Sequence, residues 1–302
     1  MRLDLAAEGS LAADIARLGN RPAPPAPMSE LGAALAFNLF VFVAKYVPGL
    51  APLLLERGDW ARVYGRIAAK EQARAGGTLP PQLTRWHDPN ALLFPGLATR
   101  PFHEARDPWW RAELADTVAL LERFHPAIRD EALALGQQRL QQYRDHGDAL
   151  LHENGDWNVH YVRLEGKDTS AQRRQTPTTA AVVDAVARST GHAFLSVLDP
   201  GTHILPHCGP SNYRLRVQLG VSVPDGCRIR VGGETREWRE GKCLVLDDAF
   251  EHEVWNESDE KRVVLIVDIW HPDFSAAEVA WMEQTRASKQ RRSGSGGPVV
   301  RS

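Results

Sequence analysis

The sequence predicts a mainly β fold, two antiparallel sheets closed face to face, with flanking helices and a helical extension on the N-terminal side. Three observations carry that prediction. From Tyr213 to Val221 the residues alternate strictly, Tyr213, Leu215, Val217, Leu219 and Val221 on one side and Arg214, Arg216, Gln218 and Gly220 on the other, which is the period of a strand. Further short β-rich runs follow at Arg228–Val231, Lys242–Leu246 and Arg262–Ile269. Turn signals at Pro224-Asp225-Gly226, Gly232-Gly233 and Glu240-Gly241 separate them, and many short strands punctuated in this way predict a jelly roll or cupin-like barrel.

Taken in order, the first thirty residues open with a short amphipathic pattern and end in a Pro-rich linker, without the apolar core and cleavage site of a secretory signal. Leu31–Ala44 is the most apolar stretch, short for a membrane span and soon followed by Pro48 and Pro52. It reads as a buried helix; membrane association through residues 31–55 is the competing reading. Asp59–Ala75 reads as a helix with Trp60, Val63, Ile67 and Ala68 on one face, ended by Gly76-Gly77. Two more helices are expected at about Trp109–Arg123 and Pro126–Gln142, striped by Leu114, Val118 and Leu121 and by Ile128, Ala132 and Leu135. Trp157–Leu164 reads as a strand, with Trp157 and Arg163 either at the mouth of a site or purely structural. A Thr-rich cap precedes a helix at Thr178–Arg188. The domain division that follows is a helical extension over 1–100, the β domain with its helical lead-in over 101–285, and a basic, Gly/Ser-rich disordered tail over 286–302.

Composition narrows the function classes. Lys plus Arg number 36 against 38 for Asp plus Glu, a formal net charge of −2, so no global field favours nucleic acid. The charged and hydrophobic fractions are those of a soluble globular protein, and a cytoplasmic location is expected. Three cysteines, Cys208, Cys227 and Cys243, are an odd set that fits a reducing compartment better than a disulfide framework. Among the residues with chemistry to offer, His207 and His252 each sit at the edge of a β-rich run. Imidazoles on one face with open positions opposite are what a dioxygen-activating non-haem iron requires. Either histidine alone reads first as a satisfied polar residue, and Arg214 and Arg216 read equally as a solvated outer face. His203 and His207 form an HxxxH, but Pro206 and the strand context bar the helix on which that spacing would bind zinc.

The run PGTHILPHCGPSNYRLRVQLG, the hairpin GCRIRVGGETREWREGK, then LVLDDAFEHEVWNES and RVVLIVDIWHP resemble the catalytic domain of the aspartyl/asparaginyl β-hydroxylase family. The likeness is strongest over Phe194–Pro272, weaker back to about Trp109, and absent from the first hundred residues. It implies a double-stranded β-helix and an Fe(II)- and 2-oxoglutarate-dependent dioxygenase that uses O2. By the same resemblance His207 and His252 are the catalytic metal ligands, Arg262 and Ser196 hold the distal carboxylate of 2-oxoglutarate, and Arg216 meets the carboxylate near the metal. Gln218 stands beside it where the family has a histidine. Arg214 is the candidate for gripping a carboxylate or amide of the substrate. The carboxylate of the usual facial triad would fall at Gly209; in the resembled family water fills that position. Asp247 and Asp248 are the alternative third ligands. The implied substrate is a peptide, protein or small molecule bearing an aspartyl or asparaginyl unit, hydroxylated at its β-carbon. The alternatives are a membrane-associated lipid acyl-chain hydroxylase and a cupin-like binding module without turnover.

Overall fold

The computed structural model describes residues 85–87, 97–107, 112–135, 141–142, 152–276, 278–280 and 282–283. The apolar stretch 31–55, the helix expected over 59–75 and the tail 286–302 lie outside the described residues. Along the chain the strands are β1 Phe102–His103, β2 Gln141–Gln142, β3 His152–Glu153, β4 Trp157–Leu164, β5 Ser189–Leu198, β6 His203–His207, β7 Arg214–Ser222, β8 Cys227–Val231, β9 Glu234–Glu237, β10 Cys243–Leu246, β11 His252–Asn256 and β12 Arg262–Trp270. The helices are α1 Ala112–Arg123, α2 His125–Ala134, α3 Ser170–Gln175 and α4 Pro177–Ala185.

The strands form two sheets, a seven-stranded one in the order β1-β10-β7-β12-β5-β4-β2 and a five-stranded one in the order β3-β6-β11-β8-β9. Every ladder between them is antiparallel. This is the jelly roll expected from the alternating runs and their turns, and the double-stranded β-helix that the resemblance implies.

Two apolar layers explain the alternation. The outward residues of the large sheet, Leu215, Val217, Leu219 and Val221 of β7 and Val263, Leu265, Val267 and Ile269 of β12, pack with Leu114, Leu121, Ile128 and Ala132 of the helices. The inward residues, among them Phe194, Leu198, Val264 and Ile266, meet Ile204, Ile229, Val231 and Val254 of the small sheet. Each such side chain removed from water contributes about 1.5–3 kcal/mol. Both faces of the large sheet are thus covered, and all nine residues of β12 are buried.

Several boundaries depart from expectation for local reasons. The second helix stops at Ala134 rather than Gln142, and Gln141–Gln142 pairs with β4 instead. The Thr-rich segment does not cap α4 through Thr176, whose side chain makes no cap bond. Glu131 of α2 does so from outside, its carboxylate accepting from the Thr178 and Thr179 amides at 2.7 and 2.8 Å, where the positive end of the helix dipole favours an anion. Arg163 turns to Asp184 at 2.6 Å rather than to the mouth of the barrel.

The chain divides into two compact units, residues 1–21, 85–92 and 98–272, and residues 22–84, 93–97 and 273–302. All the named strands and helices belong to the first. In the second, Ser275 and Glu278 form a reciprocal capping box, each amide donating to the other's side chain at 2.7 and 3.2 Å. No described helix is long and apolar enough to cross a membrane.

Candidate active site

The closed interior between the sheets brings together residues from five strands. His207 ends β6 and His252 begins β11, and the ladder sets them directly opposite one another. Their ring centroids are 4.1 Å apart. Each ring has its Nδ1 against a carbonyl two residues back, His207 on Leu205 at 2.8 Å and His252 on Phe250 at 2.9 Å. A carbonyl can only accept, so both imidazoles carry the proton on Nδ1, which makes Nε2 the nitrogen with the lone pair. Burial, and then the neighbouring His207, lower His252 to about 3, so it stays neutral and able to coordinate. Among the described residues no third His, Cys, Asp or Glu joins the pair in a metal-sized group.

The missing triad position has a steric cause. A Cβ built on Gly209 would lie 2.7 Å from Asp248 Cγ and Oδ2 and 2.8 Å from its carbonyl oxygen. The carboxylate filling that space belongs to a buried square of charge. Asp248 accepts from Arg214 Nη2 at 2.8 Å and Asp268 from Arg216 Nε at 2.9 Å, while Arg216 Nη2 lies 3.3 Å from Asp248 and Arg214 Nη1 3.1 Å from Asp268 as ion pairs. Burial raises the Asp248 carboxyl, but the two guanidinium groups outweigh it and hold it well below the usual range. The square sums to zero charge. Arg214 and Arg216 therefore face the barrel interior, not a solvated outer surface. Every nitrogen of Arg214 meets a carboxylate oxygen, whereas Arg216 retains Nη1. Asp247 is buried apart from this square. Its Oδ1 accepts from the Ala249 amide at 3.0 Å and its Oδ2 has no partner; burial raises its carboxyl well above the ordinary value.

Away from this square lies Arg262, 2% exposed. It donates from Nη2 to Ser196 Oγ at 3.0 Å and lies 4.8 Å above the Trp238 ring, while its Nε has no partner. No carboxylate pairs with it among the described residues, and burial lowers it to about 10. A guanidinium so placed needs an anion. Ser196 Oγ also accepts from Trp157 Nε1 at 3.0 Å. With both acceptor directions used, its own proton must point elsewhere. Gln218 lies on the same inner face, its Oε1 accepting from Trp238 Nε1 at 3.1 Å.

The interior thus gathers His207, His252, Ser196, Arg214, Arg216, Gln218 and Arg262. Two tryptophans complete it. Trp157 stands 6.4 Å from the His207 ring, centroid to centroid. Trp238 was not singled out from the sequence; its signal is an indole inside the charged run ETREWREGK, where only a buried partner accounts for it. His203 lies on the opposite face of the small sheet, stacked 5.0 Å from Trp255 and held between Glu153 and Glu253 at 3.1 Å each. Cys208 turns its thiol to the Trp86 carbonyl at 3.7 Å.

Comparison with known proteins places this geometry in context. A family model described as aspartyl/asparaginyl beta-hydroxylase matches residues 122–272. The chain is 38% identical over 176 residues to the aspartyl/asparaginyl beta-hydroxylase of Mus musculus, covering 56% of this chain and 24% of that protein. It is 33% identical over 207 residues to the ornithine lipid ester-linked acyl 2-hydroxylase of Rhizobium tropici, covering 66% of this chain and 71% of that one. The solved prolyl-4-hydroxylase of Pseudomonas putida overlaps at a TM-score of 0.34 and 12% identity, over 51% of this chain and 98% of its own. The chain spans about a quarter of the length of the mouse protein.

Proposed function

The chain belongs to the aspartyl/asparaginyl β-hydroxylase family, and from that premise we propose that it is an Fe(II)- and 2-oxoglutarate-dependent dioxygenase hydroxylating an unactivated C–H. The observation that carries this reading is the pairing of two facing imidazoles, each donating from Nδ1 to a carbonyl, with a buried guanidinium that meets no carboxylate among the described residues. The residues fit the groups they would hold. Two neutral imidazoles suit a divalent first-row metal with open positions. A fork-shaped cation beside a hydroxyl with an uncommitted proton suits a carboxylate.

When bound, iron would supply the oxygen activation and 2-oxoglutarate two of the electrons that reduce O2, the C–H bond giving up the other two as it becomes C–OH, with succinate and carbon dioxide released. The chain's own part is positional. His207 and His252 hold the metal through Nε2. Arg262 and Ser196 bind the distal carboxylate, and Arg216, with Nη1 to spare, and Gln218 meet the carboxylate nearer the metal. Arg214 stands toward the substrate, braced by Asp248 and Asp268. The apolar walls Phe194, Val231 and Ile266 exclude water around the reacting groups.

The reacting carbon is the β-carbon of an aspartyl or asparaginyl unit. A second reading, an acyl chain hydroxylated next to its carbonyl, is favoured by one finding: the acyl 2-hydroxylase relative is matched over 71% of its length. Both are tested by incubating the protein with iron, ascorbate and 2-oxoglutarate and with either Asp- and Asn-containing peptides or ester-linked acyl ornithine lipid. Succinate release and a mass gain of one oxygen are expected on one substrate class. His252→Ala should abolish metal binding, and Arg262→Ala should raise the KM for 2-oxoglutarate on the order of a hundredfold. Full metal retention in His252→Ala, or an unchanged KM in Arg262→Ala, would overturn the assignment.

A further inference from the structure

The end of the barrel around Arg262 is lined by donors. Arg262 Nε is buried with no acceptor. Ser196 Oγ already accepts twice, from Trp157 and from Arg262. Gln218, 4% exposed, makes one hydrogen bond among the described residues, and it is an accepting one. The indole N–H of Trp238 can only donate, so it must face the oxygen of the Gln218 amide. That assignment turns the Gln218 NH2 to the unoccupied side of the amide. The same indole presents its ring face to the Arg262 guanidinium at 4.8 Å. One side chain from the segment between β9 and β10 therefore sets two donors that belong to β7 and β12.

We infer that Trp238 is a positioning residue for the dicarboxylate: its N–H locks the Gln218 amide with NH2 toward the ligand, and its ring fixes the plane of Arg262. This rests on the function proposed above. It also gives a physical account of glutamine at a position where the resembled family carries histidine. A histidine there would have to present an unprotonated nitrogen to the indole to keep the bond. Glutamine presents an oxygen at every pH and still has a donor left for the ligand. The grip at this point is that of a neutral amide, whose orientation depends wholly on the tryptophan.

The test is calorimetric titration of the Mn(II)-loaded full chain with 2-oxoglutarate, in which Mn(II) stands in for iron without turnover. Trp238→Phe keeps a ring beneath Arg262 and loses the N–H; it is expected to weaken binding about three- to tenfold, the range for one lost neutral hydrogen bond. Gln218→Leu should weaken binding by a similar factor, and the double variant by no more than either single one, because both remove the same contact. Gln218→Glu still offers the indole an acceptor but puts a carboxylate where the donor was, so binding should weaken by about a hundredfold or more. Mn(II) affinity should be unchanged in Trp238→Phe and Gln218→Leu. Wild-type binding with unaltered affinity in Trp238→Phe, or additive effects in the double variant, would overturn the positioning role while leaving the proposed function standing. Absence of 2-oxoglutarate binding to the wild-type, Mn(II)-loaded protein would overturn both.

Discussion

At Gly209 a residue is defined by what cannot be attached to it. Its Cβ direction runs into Asp248, at 2.7 Å from Cγ and Oδ2, so the barrel has exchanged a potential third ligand for a carboxylate committed to Arg214 and Arg216. Restoring the facial triad by Gly209→Asp should therefore fail. We expect a loss of about 1–3 kcal/mol from overpacking and no gain in metal affinity, because the new carboxylate must displace Asp248 from its two guanidinium partners. Thermal denaturation and metal titration of the variant check this, and tighter metal binding at undiminished stability would contradict it. The sequence shows the glycine and, through the resemblance, that a carboxylate is missing. It does not show why, since the obstructing Asp248 is 39 positions away along the chain.

Among the elements, β7 and β12 carry most of the organisation. Their outward residues bury against α1 and α2, and their inward polar residues, Arg214, Arg216, Gln218, Arg262 and Asp268, form the site. The alternation of β7 is legible in the sequence because one face is wholly apolar and the other wholly polar. Which face is wet is not legible: strand periodicity separates the two sets without saying that a second sheet covers the polar one. β12 lacks alternation for the complementary reason, since both its faces are covered. The start of β5, the helix α3 and the cap supplied by Glu131 also escape the sequence, because each depends on a partner brought in by the fold. So does the charge square, which links β7 to β12 and to the turn after β10. Removing one of its carboxylates leaves two buried guanidinium groups sharing the other. Asp248→Ala should destabilise the protein by about 3–5 kcal/mol, measured by denaturant unfolding, with the metal ligands still present. A loss within about 0.5 kcal/mol would mean that the square is solvated and does not brace the sheet.

For the molecule as a whole, burial of ionisable groups decides how folding responds to acid. His252 and His103 are both lowered by burial from 6.5 to about 3, His271 and Arg100 adding to the effect on His103. Between those values the unfolded chain takes up a proton at each histidine and the folded chain refuses it. Their contribution to stability is thus intact above about pH 6.5 and is lost as pH falls toward 3. Asp247 acts in the opposite sense. Its raised carboxyl holds its proton to higher pH in the folded protein than in the unfolded chain, so it costs stability at neutral pH and the cost fades as pH falls. Near pH 5 the two histidines take up protons on unfolding and Asp247 opposes them, so in the metal-free protein stability falls with acid less steeply than the histidines alone would make it fall. Asp247→Asn removes the opposing group. It should be more stable than wild type at pH 8, and its stability should fall more steeply with acid near pH 5, by at most about 1.4 kcal/mol per pH unit, the value for one proton. Denaturant unfolding in the presence of a chelator between pH 4.5 and 8 reads both slopes. Equal slopes for the two proteins would show that Asp247 is ionised in the folded state, and a flat wild-type profile that the histidines titrate freely. Metal loading through the Nε2 atoms of His207 and His252 should steepen the acid loss further, since metal and proton compete for the same lone pairs.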